Sequence, residues 1–224
     1  MAAGAKGIRG SRAKGRGSPT YVPDMSSTFW DERYGGDDLI YGRAPNEFLA
    51  STADRLPRSG HAMDIGAGEG RNALFLASLG LDVLAVDQSE VGMQKAQRLA
   101  LERGLTLRTQ AVDLQHFDAL PDSFDVISSI FVHLPASLRA AVHGRLHSWL
   151  KPGGVFLLEA YAPDQLKRNT GGPKDALLLA PLEVILRELD GLKIEHQASL
   201  LRVVSEGQFH TGEASVVQVV ARRA

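Results

Sequence analysis

Cysteine is absent from the 224 residues. Its absence removes disulfides, thiolate metal sites and a cysteine nucleophile together, and suits a reducing compartment. Long apolar runs are missing too. No stretch reaches the roughly 18 residues that a membrane span needs, and the first residues lack the apolar centre of a secretory leader. The formal net charge is only −1, so no global field calls for nucleic acid or an anionic membrane. Internal repeats are lacking as well. A cytoplasmic protein is the expectation.

Hydrophobic residues make up 44% of the chain, enough for a sizeable core in one domain of this length. The charge is unevenly spread. Residues 1–24 carry Lys6, Arg9, Arg12, Lys14 and Arg16 against Asp24, a net +4 that leaves the remainder at −5. With almost no large apolar side chains, residues 1–25 read as a disordered basic tail. The tail lacks the interleaved aromatics of a nucleic-acid arm, and Met25 is an alternative first residue. The domain proper spans 26–224 and opens with an amino-terminal lid segment, 26–58. There Ser26-Ser27-Thr28 caps a short helix bearing Phe29, Trp30 and Tyr34, and Gly35-Gly36 stops it. A loop with Tyr41, Pro45 and Asn46 leads to a helix near 45–55.

From residue 61 onward, strand-like and helical patterns alternate. Strands are expected at 61–65, 82–87, 107–112, 124–130 and 154–160. Helices are expected at 72–79, 90–103, 136–150 and 181–189. Two longer strands, 192–204 and 214–222, read as a closing hairpin. This order predicts an α/β fold whose parallel sheet is covered by helices on both faces, with an antiparallel strand added by the hairpin.

The sharpest local feature is Asp64-Ile65-Gly66-Ala67-Gly68-Glu69-Gly70-Arg71, a glycine loop between a strand and a helix. Only glycine tolerates both a tight turn and the close approach of a ligand, and ligands of open α/β sheets sit off the strands' carboxyl ends. A pyrophosphate-binding loop needs G-x-G-x-x-G; here the last position is Arg71. The spacing is G-x-G-x-G instead, preceded by an acid. That suits a phosphate-free nucleoside such as S-adenosylmethionine (SAM), whose ammonium group Asp64 can pair with directly or through water. Asp87 ends the next strand, 19 residues past Gly68, near the roughly 20-residue spacing at which an acid meets ribose hydroxyls. Asp113, followed by Leu114, ends the third, where a carboxylate can accept from an adenine amino group between apolar neighbours. Gln88, Ser129, and Trp30 and Tyr41 of the lid complete the candidate cofactor set with Gly66, Gly68, Gly70 and Arg71.

With these features the chain resembles the class I SAM-dependent methyltransferases over roughly residues 27–224. The resemblance rests on 64–70, Asp87, Asp113-Leu114, the strand start Ser123-Phe124-Asp125-Val126-Ile127 and the turn Leu150-Lys151-Pro152-Gly153-Gly154. Within that family, residues 70–77, Trp30-Asp31-Glu32-Arg33-Tyr34 and Glu206-Gly207-Gln208-Phe209-His210 are similar to the tellurite-resistance and thiopurine-methyltransferase-like branch. The resemblance implies a Rossmann-like seven-stranded sheet with its last strand antiparallel, SAM as cofactor and a small-molecule acceptor, with a soft S, Se or Te nucleophile as one class.

The acceptor pocket is expected beyond Ser128–His133, between 161–173 and the link of the final hairpin. His133 and His210 are the candidates to orient or deprotonate the acceptor. His143 and His147 stand four apart, but Gly144 replaces the Glu of a zinc motif. They read as a solvated helix face, and no metal is expected. The Leu138/Val142/Leu146/Trp149-Leu150 stripe has core spacing. Rival readings are a nicotinamide-dependent oxidoreductase, a non-catalytic SAM-binding regulator, and a methyltransferase of nucleic acid or protein. The glycine spacing counts against the first. The acidic body and the lack of an N-P-P-Y-like segment after the fourth strand count against the last.

Overall fold

Two faces are buried along the central strands. Strand β1 (His61–Ile65) is buried at every residue past its first, and β4 (Phe124–Ile130) at every residue but Asp125. Burial on both sides is what a parallel sheet between two helical layers imposes. The computed structural model describes residues 26–224; the basic tail expected at 1–25 lies outside them.

The remaining strands are β2 (Asp82–Asp87), β3 (Arg108–Ala111), β5 (Leu150–Tyr161), β6 (Leu192–Ser205) and β7 (Thr211–Arg223). They form one seven-stranded sheet in the order β3-β2-β1-β4-β5-β7-β6. The pairs from β3 to β5 are parallel. Strand β7 runs antiparallel to both β5 and β6, so the reversed strand lies one position in from the edge. The strand order reverses between β1 and β4, and the crevice for a ligand opens at that switch point.

The helices are α1 (Ser27–Tyr34), α2 (Glu47–Ser51), α3 (Arg71–Ser78), α4 (Glu90–Glu102), α5 (Ala136–Trp149) and α6 (Leu182–Glu188). Side chains alternate across each strand. Thus Ala62, Val83, Val126 and Leu157 meet α3 and α4 through Leu74, Leu76, Met93 and Leu99. Met63, Ile127, Phe156 and Val219 meet α5 and α6 through Val142, Leu146, Trp149 and Ile185. The expected α5 stripe is therefore core, with Leu138 partly buried at its end.

Boundaries differ in two instructive places. Strand β5 starts at Leu150, not Gly154, because Leu150 already pairs with Phe124 before a register shift. Short 3-10 turns at Pro163–Lys167 and Ala176–Leu178 lie between β5 and α6; each is too brief to leave a periodic signal. Among the described residues no helix is long and apolar enough to cross a membrane.

The amino-terminal segment enters the fold at Asn46, which is fully buried. Its side-chain oxygen accepts from Leu49 N (2.9 Å) and starts α2. Its amide donates to Glu159 Oε2 (2.5 Å) and Glu206 Oε1 (2.9 Å). Asn46→Ala removes a helix cap and leaves two buried carboxylates short of a donor, which should cost about 2–4 kcal/mol. Urea unfolding checks this: the midpoint should fall with an unchanged slope, and an unmoved midpoint would show that water replaces the amide.

Candidate active site

The glycine loop joins β1 to α3 at the switch point. Gly66 has φ 63°, and a Cβ on it would lie 2.6 Å from Val132 Cγ2. Gly70 has φ 87°, and a Cβ there would lie 2.6 Å from Ala96 Cβ. Both the dihedrals and the packing therefore demand glycine. Gly68 N donates to Asp87 Oδ2 (2.9 Å), while Ser89 N donates to Asp87 Oδ1 (2.9 Å). Burial pushes the Asp87 carboxyl up, and backbone N–H groups of Ser89, Gly68 and Gln88 pull it back.

A cavity of about 660 Å³ opens above this loop. Among the expected site residues, Trp30, Tyr41, Gly66, Gly68, Arg71, Asp87, Gln88, Asp113, Leu114, His133 and His210 line it. The other three stand elsewhere. Gly70 lies under the loop as the cap of α3. Ser129 lines a separate chamber of about 20 Å³, which it shares with His133, Arg139 and Tyr161. Asp64 is sealed beneath the floor, 1% exposed. Ser128 Oγ donates to Asp64 Oδ1 (2.6 Å), and Oδ2 has no partner among the described residues. Burial pushes the Asp64 carboxyl up to about 7, against the pull of Ser128 and the Arg71 charge.

Glu69, not anticipated from sequence, fastens the amino-terminal segment. Its Oε1 pairs with Lys95 Nζ (2.9 Å), a buried ion pair. Its Oε2 accepts from Ile40 N (2.8 Å). The carbonyl of the same Ile40 accepts from Gln208 N (2.9 Å) in the β6–β7 link. Asp31 of α1 accepts from Ser89 Oγ (2.6 Å) and Val91 N (3.2 Å) at the start of α4. Trp30 stacks on Tyr34 at 5.6 Å, and Tyr34 Oη lies 2.8 Å from where a Cβ on Gly68 would be. Arg33 lies over Phe29, Trp30 and Phe209 at 4.7–5.7 Å and donates to Tyr41 Oη (3.3 Å).

Behind the loop runs a buried charge network. Arg71 pairs with Glu206 (2.5 Å), and Arg202 bridges Glu206 (2.7 Å) and Glu159 (2.7 Å). Gln218 Nε2 also donates to Glu159 Oε1 (2.7 Å). Burial works against the charge on Glu206, yet Arg71 and Arg202 hold its carboxyl below the usual range.

The far wall is aromatic. Phe131 has φ 56°, a conformation worth about 1–3 kcal/mol of strain. Its N donates to Glu159 O (2.7 Å), and its ring stacks on Tyr161 at 4.6 Å. His210 packs against Tyr41 (4.7 Å) and Phe131 (4.6 Å), and His133 stacks on Tyr161 (5.4 Å). Burial pushes His133 down to about 4. Burial, together with Arg71, His133, Arg202 and Arg33, pushes His210 down to about 3. Both rings are neutral at pH 7, and neither has a carboxylate partner among the described residues.

The reading of His143 and His147 as one solvated face is corrected. His147 is exposed, but His143 is buried, with Nδ1 2.8 Å from Glu188 Oε2. The helix turns His143 toward α6, which supplies that acid.

Residues 62–154 match the family described as Methyltransferase domain. The chain is similar to a dimethylglycine N-methyltransferase of Parasynechococcus marenigrum, 30% identical over 154 residues, covering 61% of this chain and 55% of that protein. It is also similar to a 2-heptyl-1-hydroxyquinolin-4(1H)-one methyltransferase of Mycobacteroides abscessus, 32% identical over 117 residues, covering 51% and 52%. The chain thus spans about half the length of these curated relatives. The crystal structure of TehB from Haemophilus influenzae shares the fold, with a TM-score of 0.67 at 16% identity over 88% of this chain and 67% of that one.

Asp64 yields a pH test. Its folded value lies above the ordinary carboxylate value, so the stability it contributes is complete below about pH 4 and is lost as pH rises through about 7. Asp64→Asn keeps the neutral form. Its melting temperature should exceed wild type at pH 8, by roughly 2–4 °C per kcal/mol regained, and match it near pH 4. Equal shifts at both pH values would mean that the carboxyl ionises freely.

Proposed function

We propose, from the premise that residues 62–154 are a methyltransferase domain on a class I sheet, that this protein transfers a methyl group from SAM to a small-molecule acceptor. The observation that carries the reading is Asp87, cradled by the Gly68 and Ser89 amides on the floor of the cavity. Each carboxylate oxygen has two lone-pair sites. Beside its backbone bonds, the side chain can still accept from a ribose hydroxyl.

The other residues fit the same nucleoside. Exposed Asp113 and buried Leu114 offer an acceptor and an apolar surface for an adenine. Trp30 and Tyr34 roof the loop and exclude water. Asp64 acts from beneath, through the loop. When bound, SAM supplies a methyl already activated by a sulfonium, so transfer is an in-line displacement. The protein's main work is then to align acceptor and donor.

The volume of about 660 Å³ lies within the ordinary range for small-molecule sites. The two relatives, by their names, methylate small molecules, which supports the same substrate class here. His133 and His210 are held neutral and weakly basic. That favours a soft S, Se or Te nucleophile, which needs little deprotonation, and fits the sequence likeness to the tellurite-resistance branch.

Three measurements test the reading. SAM or S-adenosylhomocysteine should raise the melting temperature and NAD should not; the reverse would restore the oxidoreductase. Trp30→Ala should weaken SAM binding about tenfold by calorimetry, and unchanged affinity would remove the roof. In a panel of thiols, phenols, amines and chalcogen oxyanions, S-adenosylhomocysteine release should be fastest with the soft acceptors. Binding without turnover of any of them would leave a SAM-binding regulator.

A further inference from the structure

The small chamber beside the main cavity joins two polar atoms that the proposed reaction does not use. Arg139, on the first turns of α5, spends Nε and Nη2 on Glu188, at 3.0 and 2.9 Å. His143 Nδ1 meets the same carboxylate at 2.8 Å. Arg139 is 8% exposed, and its Nη1 is sealed with no partner among the described residues. Nε2 of His133 is sealed in the same way. Both residues line the chamber of about 20 Å³, and His133 also lines the main cavity. The rest of its wall is mostly apolar, with Ile65, Val142, Leu158 and Ile185, beside Ser129, His143 and Tyr161, whose Oη is also buried without a partner among the described residues.

A buried guanidinium N–H without an acceptor carries its full desolvation penalty. A chamber above about 10–15 Å³ holds one water when polar partners are present. We propose that this chamber is a built one-water site bridging Arg139 Nη1 and His133 Nε2, and that it fixes His133 as a hydrogen-bond donor to the acceptor. A guanidinium only donates, so the water accepts from Arg139, and in the arrangement we assign it turns a proton to the imidazole. Nε2 therefore accepts, and the ring proton sits on Nδ1. The neutral state that burial imposes on His133 leaves one ring proton to assign. His133 then steadies electron density on an acceptor that arrives already deprotonated, and Arg139 is a positioning residue acting through it. The catalytic meaning rests on the methyl-transfer reading; the tautomer does not.

Two-bond proton–nitrogen correlation spectra of the ¹⁵N-histidine-labelled protein, without ligands, read the tautomer. His133, assigned by its loss in His133→Asn, should be a single Nδ1–H form at pH 7. An Nε2–H form or an imidazolium would overturn the proposal. Arg139→Met should convert that single form into a mixture. Because this variant strands Glu188 and can fail to fold, a high-resolution crystal structure of the wild type supplies the second measurement. One water between Arg139 and His133 supports the proposal, and a dry chamber or an anomalous bromide peak after soaking overturns it. In turnover, His133→Asn, which keeps a donor where Nδ1 stood, should stay within about tenfold of wild type, whereas His133→Leu should lose about a hundredfold. Equal losses would overturn the donor role. A wild type that binds SAM but methylates nothing would instead remove the methyl-transfer reading and leave the tautomer standing.

Discussion

Two guanidinium groups and two carboxylates, sealed together behind the glycine loop, hold the functional end of the molecule in one piece. Arg71 comes from α3, Glu159 from β5, and Arg202 and Glu206 from the end of β6 and the link after it. Asn46, from the amino-terminal segment, donates to both carboxylates. Removing one partner of such a buried set typically costs about 3–5 kcal/mol, because a charge is left uncompensated. The four segments therefore keep a common geometry, and the loop, the far wall and the lid are registered to each other by charge as much as by packing.

The cavity built on that frame is polarised. Its carboxylates, Glu69, Asp87 and Asp113, stand on the glycine-loop side, and Glu69 is neutralised by Lys95. The opposite wall carries Phe131, His133, Phe209 and His210 and has no carboxylate. A cationic donor and a neutral or anionic acceptor would each meet the wall that suits it.

Much of this was legible in the sequence where the signal is local. β1, β2 and β4 span the ranges expected for them, because buried parallel strands write themselves as short, mostly apolar stretches. The glycine loop and the acids at the tips of β2 and β3 stand at fixed offsets and converge on one cavity. Long-range pairing was not legible. Arg71 and Glu206 are 135 residues apart, and Asn46 and Glu159 are 113 apart; no pattern along the chain marks either as a partner. Asp64 has the right offset, yet it lies below the floor, since a side chain near a strand's end can point under the loop as readily as into the crevice. His143 looked solvated because Glu188, its acid, lies on another helix. Tyr34 and Glu69 sat inside quoted motifs, but their contacts with Gly68 and Ile40 depend on how the lid folds back.

That fold-back leaves Ile40 hydrogen-bonded to both rims of the cleft. Ile40 gives its N–H to one rim and takes an N–H from the other with its carbonyl. Both groups of Ile40 are main chain, so the seam tolerates almost any side chain at position 40, and alanine scanning reads it only at Glu69. Proline, which lacks the N–H, would unpick one side while sparing the other. The seam thus offers selection one side-chain handle, the Glu69 carboxylate, on one rim and main chain alone on the other.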